Sequence, residues 1–113
     1  MEIETDNYNV VYQSDIATVF LRGFLRLPGM PEYESIMNLL LDAIDETPAL
    51  TLNLQELEFL NSSGISMLSM FVVKVRNQGQ GQLVIQGSNQ VLWQTKSLRN
   101  LQRLMPSLKL EFA

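Results

Sequence analysis

A run that reads as β-strand, Leu57-Glu58-Phe59-Leu60, is interrupted by Asn61-Ser62-Ser63-Gly64 and gives way at once to a helical run opening Ile65-Ser66-Met67-Leu68. A strand that turns directly into a helix leaves little freedom between the two, so the rest of the chain must supply sheet neighbours for the one and an apolar face for the other. Asn61, Ser62 and Ser63 are short polar residues able to accept a hydrogen bond from the N–H groups left unpaired in a first helical turn, so their first meaning is a helix cap.

On the N-terminal side, Tyr8 to Gln13 carries Val10, Val11 and Tyr12. After Ser14-Asp15 comes Ile16-Ala17-Thr18-Val19-Phe20-Leu21, rich in β-branched and aromatic residues. The pair reads as an opening hairpin whose second strand ends near Leu25 or Arg26, before Pro28-Gly29-Met30-Pro31. Ile36, Leu39, Leu40, Ala43 and Ile44 recur at steps of three and four, predicting an amphipathic helix from about Pro31 to Glu46 with its acids on a solvated face; Thr47-Pro48 stops it. Leu50, Leu52 and Leu54 alternate with Thr51 and Asn53 as a strand inside the sheet.

Beyond the central turn, Ile65, Leu68, Val72 and Val75 mark a helix to about Asn77. Met67, Met70, Phe71 and Val73 widen its apolar surface. Methionines filling gaps against the sheet is the preferred reading, and an exposed partner patch the alternative. Gly79-Gln80-Gly81 reads as a turn, Leu83-Val84-Ile85 as a short buried strand, and Gly87-Ser88-Asn89 as the cap of a third helix. Val91, Gln94, Leu98, Leu101 and Met105 share one side of that helix. Pro106 ends it, and Leu108-Lys109-Leu110-Glu111-Phe112 alternates as a closing strand. The order β-β-α-β-α-β-α-β predicts an α/β fold with a mixed sheet, ligands lying beyond the carboxyl ends of its strands, where Ser62 and Ser63 fall.

At 113 residues, 46% of them hydrophobic, the chain suits one domain with a real core. Cysteine and histidine are both absent. That removes disulfides, thiol nucleophiles, histidine bases and the usual zinc ligands, and leaves Ser62 and Ser63 without a base to activate them. No phosphate-binding Gly-x-x-x-x-Gly-Lys run and no acidic cluster of ligand spacing occurs, so the expectation is no catalytic residue, no metal and no cofactor. The N-terminus is acidic where a signal peptide is basic, and no apolar run approaches the roughly 18 residues needed to cross a bilayer, which predicts a cytoplasmic protein without membrane insertion. Residues 1–60 carry eleven acids and two bases (−9) and residues 61–113 one acid and six bases (+5), a net charge of −4 that argues against nucleic acid.

One chemistry does suit the central turn. Phosphorylation adds about −1.5 to −2 charges, and at a helix N-terminus the new charge meets unpaired N–H groups and a favourable dipole. Leu52-Asn53-Leu54, the following gap with Leu57 and Phe59, and Asn61-Ser62-Ser63-Gly64-Ile65 together resemble the core of the STAS family, the anti-sigma factor antagonists, whose pattern runs strand, aromatic, Asp-Ser-Ser-Gly, helix. The order of elements is similar across nearly the whole chain. The resemblance implies a single STAS-like domain over residues 1–113, with a mixed four- to five-stranded sheet and about three to four helices.

In function it implies a non-catalytic module of bacterial signal transduction and transcription regulation. In anti-sigma factor antagonists, the first serine after the acidic residue is phosphorylated by a partner that is both serine kinase and anti-sigma factor. The unphosphorylated form binds that partner and releases sigma, the phosphorylated form lets go, and a PP2C-type phosphatase resets the cycle. Carried onto this chain, the phosphoacceptor is Ser62, with Ser63 second to it, and the partner-binding set is Asn61, Ser62, Ser63, Gly64 and Met67. Two segments depart from the pattern: Asn61 stands for the family's Asp, and Gly23-Phe24-Leu25-Arg26 for its Gly-Glu-Leu-Asp. The alternative is a divergent STAS-like module that docks on a larger signalling or transporter assembly without being phosphorylated.

Overall fold

The structure, a computed structural model, describes residues 1–79 and 81–113. Gln80, in the expected Gly79–Gly81 turn, lies outside them. A short strand β1 (Glu2–Glu4) runs antiparallel to β2 (Tyr8–Gln13), which pairs antiparallel with β3 (Thr18–Leu25) as the expected hairpin. A 3-10 turn over Ser14–Ile16 joins them and ends in Ala17, which takes a left-handed conformation at φ 48°. After a second 3-10 turn at Met30–Tyr33 come α1 (Glu34–Glu46), β4 (Ala49–Asn53), β5 (Leu57–Leu60), α2 (Ser62–Gln78), β6 (Gln82–Gly87), α3 (Leu92–Leu104) and β7 (Lys109–Phe112).

The seven strands form one mixed sheet in the order β1-β2-β3-β4-β6-β7, with β5 attached to β3. β3, β4, β6 and β7 are mutually parallel, as the helical crossovers require. The expected four to five strands therefore become seven: β1 was not foreseen, and the strand-like run Leu57–Leu60 is a separate strand, β5. β1 is three residues long and owes its existence to the free edge of β2. β5 exists because β3 is long enough to serve two neighbours: Thr18–Phe20 pairs with β4, and Gly23–Leu25 pairs with β5. Within the β5 pairing the register shifts between Gly23, opposite Leu57, and Phe24, opposite Phe59. Gly23 makes the shift possible, because its φ of 95° is left-handed territory and a Cβ there would overlap the Asn7 carbonyl oxygen.

Three α-helices are present among the described residues, with α2 between α1 and α3. The α1 stripe Ile36, Leu39, Leu40, Ala43 and Ile44 is buried as its periodicity predicts, although the first turn, from Met30 to Tyr33, is 3-10. α2 buries Gly64, Met67, Leu68, Phe71, Val72 and Val75, a wider face than its stripe, because it meets the sheet and both flanking helices. α3 starts at Leu92 with Val91 in the cap position and no side-chain cap, two residues beyond the end of the expected Gly87-Ser88-Asn89 cap.

The Ser88 N–H is instead taken by the Gln94 side-chain oxygen at 2.7 Å, and the Gln94 amide nitrogen donates to Leu54 O (2.6 Å) and Leu57 O (3.0 Å). Gln94 is fully buried, so it sits on the apolar side of α3 as a staple between α3 and the β4–β5 connection. Opposite the helices, the sheet keeps a partly open face. Along it Asn53 donates to Gln86 (3.2 Å) and Gln86 to Glu111 (3.3 Å), so this face is tied by polar side chains rather than covered.

Candidate functional site: the Asn61–Gly64 turn

β5 ends where Leu60 pairs with Leu25 of β3, and the Asn61 N–H closes the ladder on Leu25 O at 3.1 Å. The Asn61 backbone is extended (φ −76°, ψ 174°) and its carbonyl accepts the first helical bond, from Ile65 N–H at 3.0 Å. Its side-chain oxygen accepts Gly64 N–H at 3.0 Å, the N-cap geometry. The same oxygen accepts the Tyr33 hydroxyl proton at 2.7 Å, while the Asn61 amide nitrogen donates to Leu27 O at 2.7 Å. Tyr33 is fully buried, and its hydroxyl also accepts Leu27 N–H at 3.4 Å.

The amide orientation follows from the partners, since only one assignment satisfies both Gly64 N–H and Leu27 O. A carboxylate would keep the cap but could not donate to Leu27. Asparagine at this position therefore satisfies both the cap and Leu27 O, which an aspartate could not. Burial pushes the Tyr33 phenol above its ordinary pKa, an effect only partly offset by the Leu27 hydrogen bond, so the hydroxyl stays protonated and remains a donor to Asn61.

The five residues expected to touch a partner are brought to one end of α2 but do not all face outward. Ser62, the first residue of the helix, is exposed; Asn61 and Ser63 are half-buried. Gly64 is buried, and a methyl there would overlap Leu60 Cδ1 and come within 2.8 Å of the Tyr33 hydroxyl, so its role is close packing. Met67 is corrected by the structure: at 1% exposure it belongs to the core, because the phase of α2 turns it beneath α1 and turns Met70 outward (47% exposed). The Asn61 side chain satisfies Gly64 N–H, and among the described residues nothing accepts a hydrogen bond from Ser62 N–H or Ser63 N–H. An oxygen-rich anion on Ser62 would meet these two donors at the positive end of a 17-residue helix.

Sequence reasoning missed one feature of the surroundings and gave another only as its alternative. Phe24 and Phe59 are cross-strand partners, 41% and 39% exposed, and the Arg26 guanidinium lies 5.3 Å and 4.9 Å from their ring centres. The alternation of Phe20, Arg22 and Phe24 along β3, continued by Arg26 just past its end, is the signal that could have found it. Further down α2, Met30, Met37 and Met70 surround a shallow apolar groove of about 290 Å³ with Met67 at its floor. That places the methionine-rich surface between α1 and α2 and leaves Met67 only an indirect part in it.

Three solved structures from Pseudomonas aeruginosa share this fold. A chain of the crystal structure of the diguanylate cyclase SiaD in complex with its activator SiaC superposes with a TM-score of 0.72 at 10% identity, covering 100% of this chain and 99% of that one. Apo-SiaC gives 0.70 at 8% identity, covering 99% and 98%, and a further SiaC structure 0.66 at 11%, covering 98% and 92%. At such identities the likeness is one of fold. No curated protein matches the chain in sequence. The family model of the STAS domain matches residues 31–111, which include α1, the Asn61–Gly64 turn and everything up to the closing strand. The chain belongs to the STAS-domain family.

Proposed function

We propose that this protein is a non-catalytic, cytoplasmic regulatory module that switches protein partners according to the phosphorylation of Ser62. The observation that carries the reading is the state of Ser62: an exposed hydroxyl on the first residue of α2, beside two N–H groups that the Asn61 cap leaves unused. Phosphorylation there is compatible with the fold, since an anion at a helix N-terminus contributes about 0.3–1 kcal/mol of stabilisation. Against a partner the effect reverses. A dianion pressed against acidic or apolar groups must be desolvated and repelled, at several kcal/mol, enough for a loss of roughly a hundredfold in affinity. The partners that fit are an anti-sigma factor with serine kinase activity and a PP2C-type phosphatase. SiaC, a neighbour in fold, is an activator found in complex with a diguanylate cyclase, so a signalling enzyme is a second class of protein partner to look for.

Asn61 supports the alternative reading, a docking module of a larger assembly that is never phosphorylated, because a kinase requiring the family's aspartate would find an amide already committed to Leu27 and Tyr33. The deciding experiment is capture of the tagged protein from its native host, with intact-mass analysis of the chain and identification of what is bound. The phosphoregulated reading expects two populations differing by one phosphoryl group, with the partner on the lighter one. A single unmodified mass under all growth conditions would refute it in favour of docking.

A further inference from the structure

We propose that Arg26 is the residue that responds to phosphorylation of Ser62, leaving the rings of Phe24 and Phe59 to pair with the phosphate and so changing the surface a partner sees. The inference rests on the reading of Ser62 as phosphoacceptor and adds the group that reads its state. In the unmodified protein the Arg26 guanidinium is shared between the two rings, at 5.3 Å and 4.9 Å, and both rings are exposed enough that the guanidinium forms part of their cover.

The backbone places Arg26 next to the site. Leu25 O accepts Asn61 N–H and Leu27 O accepts the Asn61 side chain, so Arg26 is held between two hydrogen bonds to the residue that precedes Ser62. A strand spacing of ~4.8 Å and one residue step of ~3.8 Å put the Cα atoms of Arg26 and Ser62 within roughly 9 Å, and to cross that gap the guanidinium must swing from the outer face of the sheet, where it covers Phe24 and Phe59, around the end of β5. Arg22, the neighbouring cation on β3, is engaged by Glu56 at 3.3 Å and lies over Phe20. Arg26 forms no ion pair among the described residues, and it is solvent-exposed.

The exchange is favourable because a cation over an exposed ring is a weak contact, whereas a guanidinium and a phosphate form paired, charge-assisted hydrogen bonds of matched geometry. When Arg26 leaves, Phe24 and Phe59 lose their cover on the same edge of the molecule that gains the phosphate. Phosphorylation then does two things at once: it adds charge at the start of α2 and bares an aromatic pair on β3 and β5.

The test uses the full chain with phosphoserine installed at position 62 during translation, so that no kinase is needed, alongside the same protein carrying Arg26→Gln or Arg26→Lys. Phosphorus NMR follows the second ionisation of the phosphate, and aromatic proton shifts follow Phe24 and Phe59. Arg26 as partner requires a phosphate pKa lower in the wild-type background than in Arg26→Gln by roughly half a unit, a threefold change in proton affinity. Arg26→Lys should fall between, having charge without the fork. Ring signals should move on phosphorylation only when Arg26 is present. Equal pKa values and equal ring shifts in wild type and Arg26→Gln, both folded by circular dichroism, overturn the inference. A failure of the underlying reading looks different: protein from the native host never carries phosphate on Ser62, while the installed phosphoserine still shows the Arg26-dependent shift.

Discussion

Replacing Asn61 by aspartate changes a single functional group, and two general effects pull in opposite directions. A carboxylate at an N-cap still accepts Gly64 N–H, and its charge at the positive end of α2 should contribute about 0.3–1 kcal/mol. Against this, the Asn61 amide nitrogen donates to Leu27 O at 2.7 Å, and an oxygen in that place cannot. Losing the bond costs about 0.5–1.5 kcal/mol, and leaving a part-buried carbonyl facing a second acceptor adds roughly 1–3 kcal/mol. The structure therefore predicts that Asn61→Asp is destabilised by roughly 0.5–4 kcal/mol at pH 7, each kilocalorie per mole lowering Tm by about 4–8 °C. Urea unfolding followed by circular dichroism, with both proteins at the same pH and salt, measures it. An Asn61→Asp protein as stable as wild type, or more stable, would mean that the Leu27–Asn61–Tyr33 network does not hold the turn.

Leu68 is 1% exposed against the sheet, so Leu68→Ala should cost about 2–5 kcal/mol in the same assay; a loss under half a kilocalorie per mole would put the residue outside the core. Gln94→Ala strips partners from Ser88 N–H and from Leu54 O inside the fold and should cost about 2–4 kcal/mol, whereas a change near zero would deny the staple its role. The raised pKa of Tyr33 means that the folded state holds the phenolic proton more tightly than the unfolded state. Its contribution is thus complete below the ordinary value near 10.0 and is lost as pH rises past it. Stability measured from pH 8 to 11 should fall along that limb, and less steeply in Tyr33→Phe; identical slopes would count against the buried phenol.

Much of this is legible in the sequence where a pattern is local. The stripe of α1, the alternation of β4 and the strand–turn–helix passage at Asn61 all depend on residues near one another in the chain, and all stand in the fold. What escaped depends on partners far away. Leu57–Leu60 reads as a strand, but nothing local shows that it pairs with the second half of β3 rather than extending β4. Gln94 reads as part of an apolar stripe because nothing local shows that it meets carbonyls some forty residues earlier.

Met67 fits a surface patch on composition and a core site on helix phase, and phase decides. The Arg26 stack on Phe24 and Phe59 needed the register of two parallel strands. The departure from the family's Gly-Glu-Leu-Asp segment was visible, but its consequence was not: the two lost acids are replaced by an aromatic and a cation at the edge of the candidate phosphorylation site.

The central claim is that the charge on Ser62 sets partner affinity. It is tested most directly by titrating the protein captured from the native host with this chain in two forms, unmodified and carrying phosphoserine at position 62. The account predicts a dissociation constant about a hundredfold higher for the phosphorylated form, with Ser62→Ala matching the unmodified protein and both variants fully folded. Equal affinity of the two forms would contradict it.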